Sequence, residues 1–198
     1  MADTKELLGL VAFIITIAAT TKYFALTWQG KIKPHVFTWT VWGLVVGISA
    51  AIRAADHAGP GAWPAWANAA SCLSIAVLAF FKGEKSINKS DVICFILALG
   101  AIPLWLVADN PVLSMLIVVG IDLIGYIPTF RKSFHAPYQE ATFNYYVANS
   151  LNLLSIFATE HHSFLTLFAP CAMILANSSL IAMLVWRRRL FLQLDPST

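Results

Sequence analysis

The sequence is dominated by long apolar runs, and short connections between them carry most of its charge. A helix needs about 20 mostly apolar residues to cross a bilayer, and seven runs come close to that length. Backbone polar groups find no water inside a bilayer, so each run is predicted to be a helix that satisfies them internally. The predicted spans are Leu7–Trp28, Val36–Ile52, Trp63–Phe81, Val92–Ala108, Pro111–Phe130, Ala141–Ala158 and Phe164–Trp186.

The composition agrees with this reading. Hydrophobic residues make up 59% of the chain and charged residues 12%, whereas soluble domains carry about 25% charged residues. We therefore expect residues 1–198 to form one membrane domain. The basic residues lie at span ends, so the net charge of +3 does not indicate a nucleic-acid partner. Cys72, Cys94 and Cys171 lack metal-type spacing, and we expect neither a metal nor another cofactor.

The basic residues also predict an orientation. Cytoplasmic connections of membrane proteins are enriched in lysine and arginine. Eleven of the 13 lysines and arginines fall at the span ends of one side, and the other side has only Lys5 and Arg53. We expect an outside amino terminus and a cytoplasmic carboxyl terminus, which seven spans make consistent. The expected location is a bacterial cytoplasmic (inner) membrane.

A weak internal repeat accompanies the spans. Tyr23 to Pro34 and Tyr126 to Pro137 enclose basic connections of equal length, at an offset of 103 residues. Each connection leads to an aromatic-rich span, a short outer loop and a span that ends in cations. The predicted fold is therefore all-α, with two parallel three-helix repeats on either side of a linker helix (3+1+3). The first repeat covers 7–82, the linker helix 91–108 and the second repeat 111–187.

This arrangement, with Tyr126-Ile127-Pro128 near the inner end of a span, resembles the SWEET and PQ-loop transporter superfamily. The best match runs from Gly125 to Asn152, and the chain has Pro128-Thr129 where that family has proline–glutamine. Vitamin-precursor transporters of the Pnu type have a similar helical plan and are an alternative. The resemblance implies a membrane transporter that works by alternating access, and in SWEET transporters an asparagine from the third helix of each repeat contacts the solute. Asn177, and less closely Asn68, match that expectation.

Asp122 is the acid that lies well inside a predicted span. An ionisable group in hydrocarbon is costly, so it normally faces the interior of the helix bundle. Because burial favours the protonated form of a carboxyl group, Asp122 is a candidate for coupling solute movement to protons. Its alternative role is in helix packing. Pro128 removes a backbone hydrogen bond and is a candidate hinge, supported by Gly125 one turn earlier.

Further polar residues suggest a solute site. Tyr145 and Asn149 follow helical spacing, and Asn side chains both donate and accept hydrogen bonds. Trp42 is expected to supply a facing aromatic wall. The alternative for the amides is hydrogen bonding between helices. Together with Asn68 and Asn177, these residues form the expected solute site.

These features favour a transporter of a small, polar, uncharged solute, since the predicted spans contain amides and aromatics but no cation apart from Lys22 near the end of the first span. The alternative is a receptor or accessory membrane protein of the same fold that does not transport. The sequence lacks the nucleophile elbow, phosphate-binding loop and metal-spaced cysteines of common enzyme classes, so an enzyme is not expected. The partners implied are the lipid bilayer and the solute, and a homo-oligomer is left open.

Overall fold

A computed structural model describes residues 2–31, 34, 36–83, 92, 93, 96, 100, 103, 110–135, 137–139 and 142–194. All regular structure in these residues is helical, as predicted. The long helices of this part of the chain are α1 (Ala2–Trp28), α2 (Val36–Ala55), α3 (Trp63–Lys82), α4 (Pro111–His135), α5 (Thr142–Ala158) and α6 (Phe164–Leu194). Short 3-10 turns occupy Gly59–Ala62 and Pro137–Gln139. The linker helix predicted over 91–108 lies almost entirely outside the described residues.

Five of the described helices are long and apolar enough to cross a membrane. They are α1, α2, α4, α6, and α3 together with the turn before it. Helix α5 has 17 residues, a length of roughly 25 Å, and is shorter than the other five. Large apolar side chains, including Phe80, Phe81 and Leu175, point away from the protein interior and are about 70% exposed. The chain is therefore a helical integral membrane protein, whose apolar outer surface suits lipid.

The helix ends follow from local sequence. Helix α1 ends at Trp28, shortly before Gly30, which has a φ of 73°. The Lys31 N–H closes this turn onto the Leu26 carbonyl at 3.0 Å. Asn110 caps α4, because its side-chain oxygen accepts the Leu113 N–H at 3.0 Å. Ser163 caps α6 in the same way, accepting the Thr166 N–H at 3.2 Å.

The described helices pack in two groups. In the first group α3 packs against both α1 and α2, and in the second α6 packs against both α4 and α5. The groups meet mainly where α1 contacts α5 and where α2 contacts α4. The hydrophobic core lies at the second of these contacts, where Val45 and Ile48 of α2 pack with Met115 and Val118 of α4. This packing leaves room for a site between the groups.

One end of the bundle is closed by two loops, 56–62 and 159–163, and we call it the closed end. Backbone hydrogen bonds join the loops, from Glu160 N–H to the Ala58 carbonyl at 3.1 Å and from His161 N–H to the His57 carbonyl at 3.3 Å. Lys5 reaches over from α1 and donates to the Thr159 carbonyl at 2.8 Å. We call the opposite end, with Lys31, Lys82 and the arginines 187–189, the basic end.

Candidate functional site

A cavity of about 880 Å³ lies between the two helix groups. All six long described helices contribute to its wall, and it extends from Arg53 and Ser155 near the closed end to Lys22 and Asn144 toward the basic end. Cavities that bind small molecules generally fall in this size range, at roughly 300–1,000 Å³. Its place between the helix groups makes this cavity the candidate functional site.

The wall toward the basic end is aromatic. Trp42, a residue of the expected solute site, lines the cavity together with Trp39 and Tyr23. The ring centroids of Tyr23 and Trp39 are 4.9 Å apart, and Trp39 meets Trp42 edge-to-face at 5.5 Å. Such a cluster offers flat apolar surfaces to a ring or an alkyl chain. Of these three residues, the sequence analysis named Trp42 for the wall.

Asp122 lines the same cavity from α4 and is partly buried. Its carboxyl group makes no hydrogen bond to the described part of the chain, so it stays available to water or to a solute. Gly125 lies on the next turn, and a side-chain carbon placed there would lie 3.8 Å from the Trp42 indole nitrogen. Pro128, the predicted hinge, falls within the α4 range, but its side chain lies outside the described residues.

Asn177 is almost fully buried, at 1% exposure, and is the centre of a hydrogen-bond chain. The Tyr126 hydroxyl donates to Asn177 Oδ1 at 2.6 Å, and Asn177 Nδ2 donates to Asn149 Oδ1 at 2.9 Å. Asn149 in turn donates to the Ser178 hydroxyl at 3.1 Å. Asn177 and Tyr126 line the cavity, so this series of hydrogen bonds connects the cavity to the contact between α5 and α6. Tyr126 was singled out in the sequence for the repeat, not for the site.

The cavity-facing side of α5 differs from the predicted one. The sequence analysis placed Tyr145 and Asn149 in the expected solute site, but neither residue lines the cavity. The lining side chains include Asn144, Asn152 and Ser155 instead. The residues share faces of α5 with the helical spacing that was predicted, but a different face of the helix lines the cavity. Asn149 instead faces α6, where it is hydrogen-bonded to Asn177 and Ser178. Asn149 therefore reaches the cavity only indirectly, through Asn177.

Asn68, another residue of the expected solute site, lines the cavity from α3. Its side-chain oxygen accepts the Cys72 thiol, with an Sγ–Oδ1 distance of 3.6 Å. Cys72 is buried and also lines the cavity. The Asn68 amide nitrogen makes no hydrogen bond to the described residues, so it remains a donor toward the cavity.

Arg53 corrects the expectation that the spans contain no cation apart from Lys22. The second span was predicted to end at Ile52, but α2 continues to Ala55, and Arg53 lies in the cavity wall with 3% exposure. The helix continues because the first strong breaker after Ile52 is the Gly59-Pro60-Gly61 segment. A buried arginine in a membrane helix was thus taken for a loop residue.

No protein-family model, no curated protein and no solved structure matches this chain. The function is therefore inferred from the site itself.

Proposed function

We propose that this protein is a transporter that moves a small polar solute by alternating access between two three-helix groups. The observation that carries the proposal is the cavity between the groups. Its wall combines Asp122, Arg53 and amide side chains with an aromatic cluster, and one end is closed by joined loops. Transporters bind solutes at such a position, at the interface of two helix bundles, and expose the site to one side at a time.

The packing supports a 3+1+3 arrangement, with groups 7–82 and 111–187 joined by a linker helix over 91–108. Each group has its third helix in contact with the other two. The α1–α5 contact is the counterpart of the α4–α2 contact, as a two-fold axis along the membrane normal would produce. This plan is the basis for the proposed resemblance to SWEET and PQ-loop transporters.

Paired contacts at the basic end support the same repeat. Lys82 at the end of α3 donates to the Trp28 carbonyl at 2.8 Å, and its ammonium lies 4.4 Å from the Trp28 ring centroid. Arg187 near the end of α6 donates to the Phe134 carbonyl at 2.9 Å and lies 4.1 Å from that ring. In both groups a cation on the third helix thus holds the end of the first helix.

We propose that the basic end faces the cytoplasm, with the amino terminus outside. In a variant without native cysteines, a cysteine in place of His162 at the closed end is expected to react with a membrane-impermeant maleimide added to intact cells. A cysteine in place of Gln29 at the basic end is expected to react only after the cells are opened. Both positions are exposed, so the reverse pattern would refute this orientation.

A thermal-shift screen of the purified protein in detergent tests the solute site. The panel contains sugars, polyols, amino acids, nucleosides and vitamin precursors. A ligand that binds only the folded protein at 100 times its Kd adds about 2.7 kcal/mol of stability, which corresponds to a Tm increase of about 5 °C or more.

We expect at least one solute to raise the Tm of the wild type, and the increase to be lost in Asn177→Ala. Ser179→Ala is the matched control, because Ser179 is exposed on the same helix and outside the cavity wall. A panel without any stabilising solute at millimolar concentration would count against a small-solute site. A stabilising solute that acts equally on both variants would place the site elsewhere.

A further inference from the structure

Arg53 is a buried cation whose hydrogen bonds leave its charge unbalanced. Its Nε donates to the Thr166 carbonyl at 2.9 Å. Its Nη2 donates to the Gly61 carbonyl at 2.9 Å and to the Ser155 hydroxyl at 2.8 Å. All three acceptors are neutral. They hold the guanidinium in place, but they do not supply the opposite charge that a buried ion needs.

No carboxylate among the described residues pairs with Arg53, and the ionisable side chain that interacts with it is the Cys171 thiol. The ion pair found within 4 Å in this part of the chain joins Asp56 to His161, at 3.7 Å. Asp122 shares the cavity but is too distant. The Ser49 hydroxyl contacts the Met115 sulfur at 3.8 Å, which sets the register of the antiparallel helices α2 and α4. Arg53 lies about one turn from Ser49 and Asp122 about two turns from Met115 in the opposite direction, so the two charged residues are about 16 Å apart along the helix axes.

One guanidinium nitrogen of Arg53 is not held by these hydrogen bonds. Nη1 makes no hydrogen bond to the described chain, and Arg53 lines the cavity. Two amide side chains lie in the same part of the wall. Asn152 is one helical turn below Ser155, and its amide nitrogen donates to the Ala148 carbonyl at 2.9 Å. The Asn68 amide nitrogen makes no hydrogen bond to a described residue. A fixed cation with a neighbouring amide donor is suited to a carboxylate, because charge-assisted hydrogen bonds are the stronger ones.

We propose that the closed end of the cavity binds a carboxylate group of the solute, with Arg53 Nη1 as the charged donor. This inference rests on the proposed function, since it takes the cavity to be the solute site. It replaces the expectation of an uncharged solute, which depended on the predicted spans having no cation apart from Lys22 near the end of the first span. The carboxylate neutralises Arg53 at the closed end, while the remainder of the solute extends toward Trp42.

The test compares carboxylates with primary amides of nearly equal size at constant ionic strength. The pairs are nicotinate and nicotinamide, benzoate and benzamide, and propionate and propionamide. Binding is measured from the concentration dependence of Tm in detergent. For at least one pair, we expect the wild type to bind the carboxylate about ten-fold or more tightly than the amide, a difference of about 1.4 kcal/mol. No preference in any pair would overturn the proposal.

Variants at Arg53 test whether the preference comes from this residue. Arg53→Gln and Arg53→Met both remove the charge, and they place a polar or an apolar side chain in its position. Either variant can therefore serve if the other fails to fold. We expect the carboxylate preference to disappear in them and to persist in Arg189→Gln, which removes an exposed arginine outside the cavity wall. An unchanged preference in a folded Arg53 variant would overturn the proposal. If neither variant folds, the wild-type pairs decide.

Uptake into liposomes separates this inference from the proposed function. A carboxylate that binds through Arg53 but never enters the liposomes supports the anion site and refutes transport. A neutral solute that is taken up, while no carboxylate binds or competes, supports transport and refutes the anion site.

Discussion

Replacing Asp122 by asparagine is expected to reduce proton-driven solute uptake into liposomes to background, while exchange of labelled for unlabelled solute continues. Asp122 lines the cavity, and its carboxyl group makes no hydrogen bond to the described chain. An acid inside the membrane is costly unless it has a function or a partner. Asparagine keeps the shape and the polarity of the side chain but cannot take up or release a proton. Net coupled transport therefore stops, whereas exchange needs only binding and reorientation.

The measurement is made in liposomes with an imposed pH gradient and, separately, with unlabelled solute trapped inside. Asp3→Asn is the matched control, because Asp3 is exposed at the start of α1. We expect that variant to keep both activities. Loss of both activities in Asp122→Asn would assign the residue to binding or folding, and loss of neither would exclude it as the coupling group.

Replacing Gly61 by alanine is expected to lower stability strongly, by about 3 kcal/mol. The added Cβ would lie 2.7 Å from Thr159 Cα and 2.8 Å from the Ser155 carbonyl oxygen. Both neighbours are backbone atoms, so relief requires the two loops of the closed end to separate. The Gly61 carbonyl also accepts hydrogen bonds from Arg53 and Ser155, and these would be strained as well.

Gly120→Ala is the matched control for this change. Gly120 lies inside α4, and a Cβ there would have no neighbour within 4 Å. Alanine favours helix over glycine by about 0.8–1.0 kcal/mol, so we expect this variant to be slightly more stable than the wild type. The apparent unfolding midpoints of both variants, measured in the same detergent, provide the comparison. A Gly61→Ala protein as stable as the wild type would show that the loops do not pack against each other as described.

The apolar runs predicted the described helices well, because a bilayer imposes a minimum length and excludes unpaired backbone groups. Asp122 was also named from the sequence as a candidate for proton coupling, because an acid within such an apolar run is rare. Trp42, Asn68 and Asn177 line the cavity, and their contact with a solute stays a prediction. Whether seven helices cross the membrane in two repeats remains a prediction.

Two parts of the site could not be derived from sequence. Arg53 sits at a helix end, where composition alone does not distinguish a loop cation from a buried one. Hydropathy places it outside the span, but the guanidinium is buried against the carbonyls of Gly61 in a closed-end loop and Thr166 in α6. The α5 face was also misplaced, because the helical period fixes which residues share a face but not which neighbour that face meets. Asn149 pairs with Asn177 instead of facing the cavity.

The most direct test of transport is the uptake of a solute that stabilises the wild type but not Asn177→Ala. The purified protein is placed in liposomes, and labelled solute is added outside without any other gradient. We expect the solute to enter down its concentration gradient until the inside and outside concentrations are equal, and empty liposomes to show only leakage. Tight binding without entry would contradict the transporter proposal and would favour a receptor of the same fold.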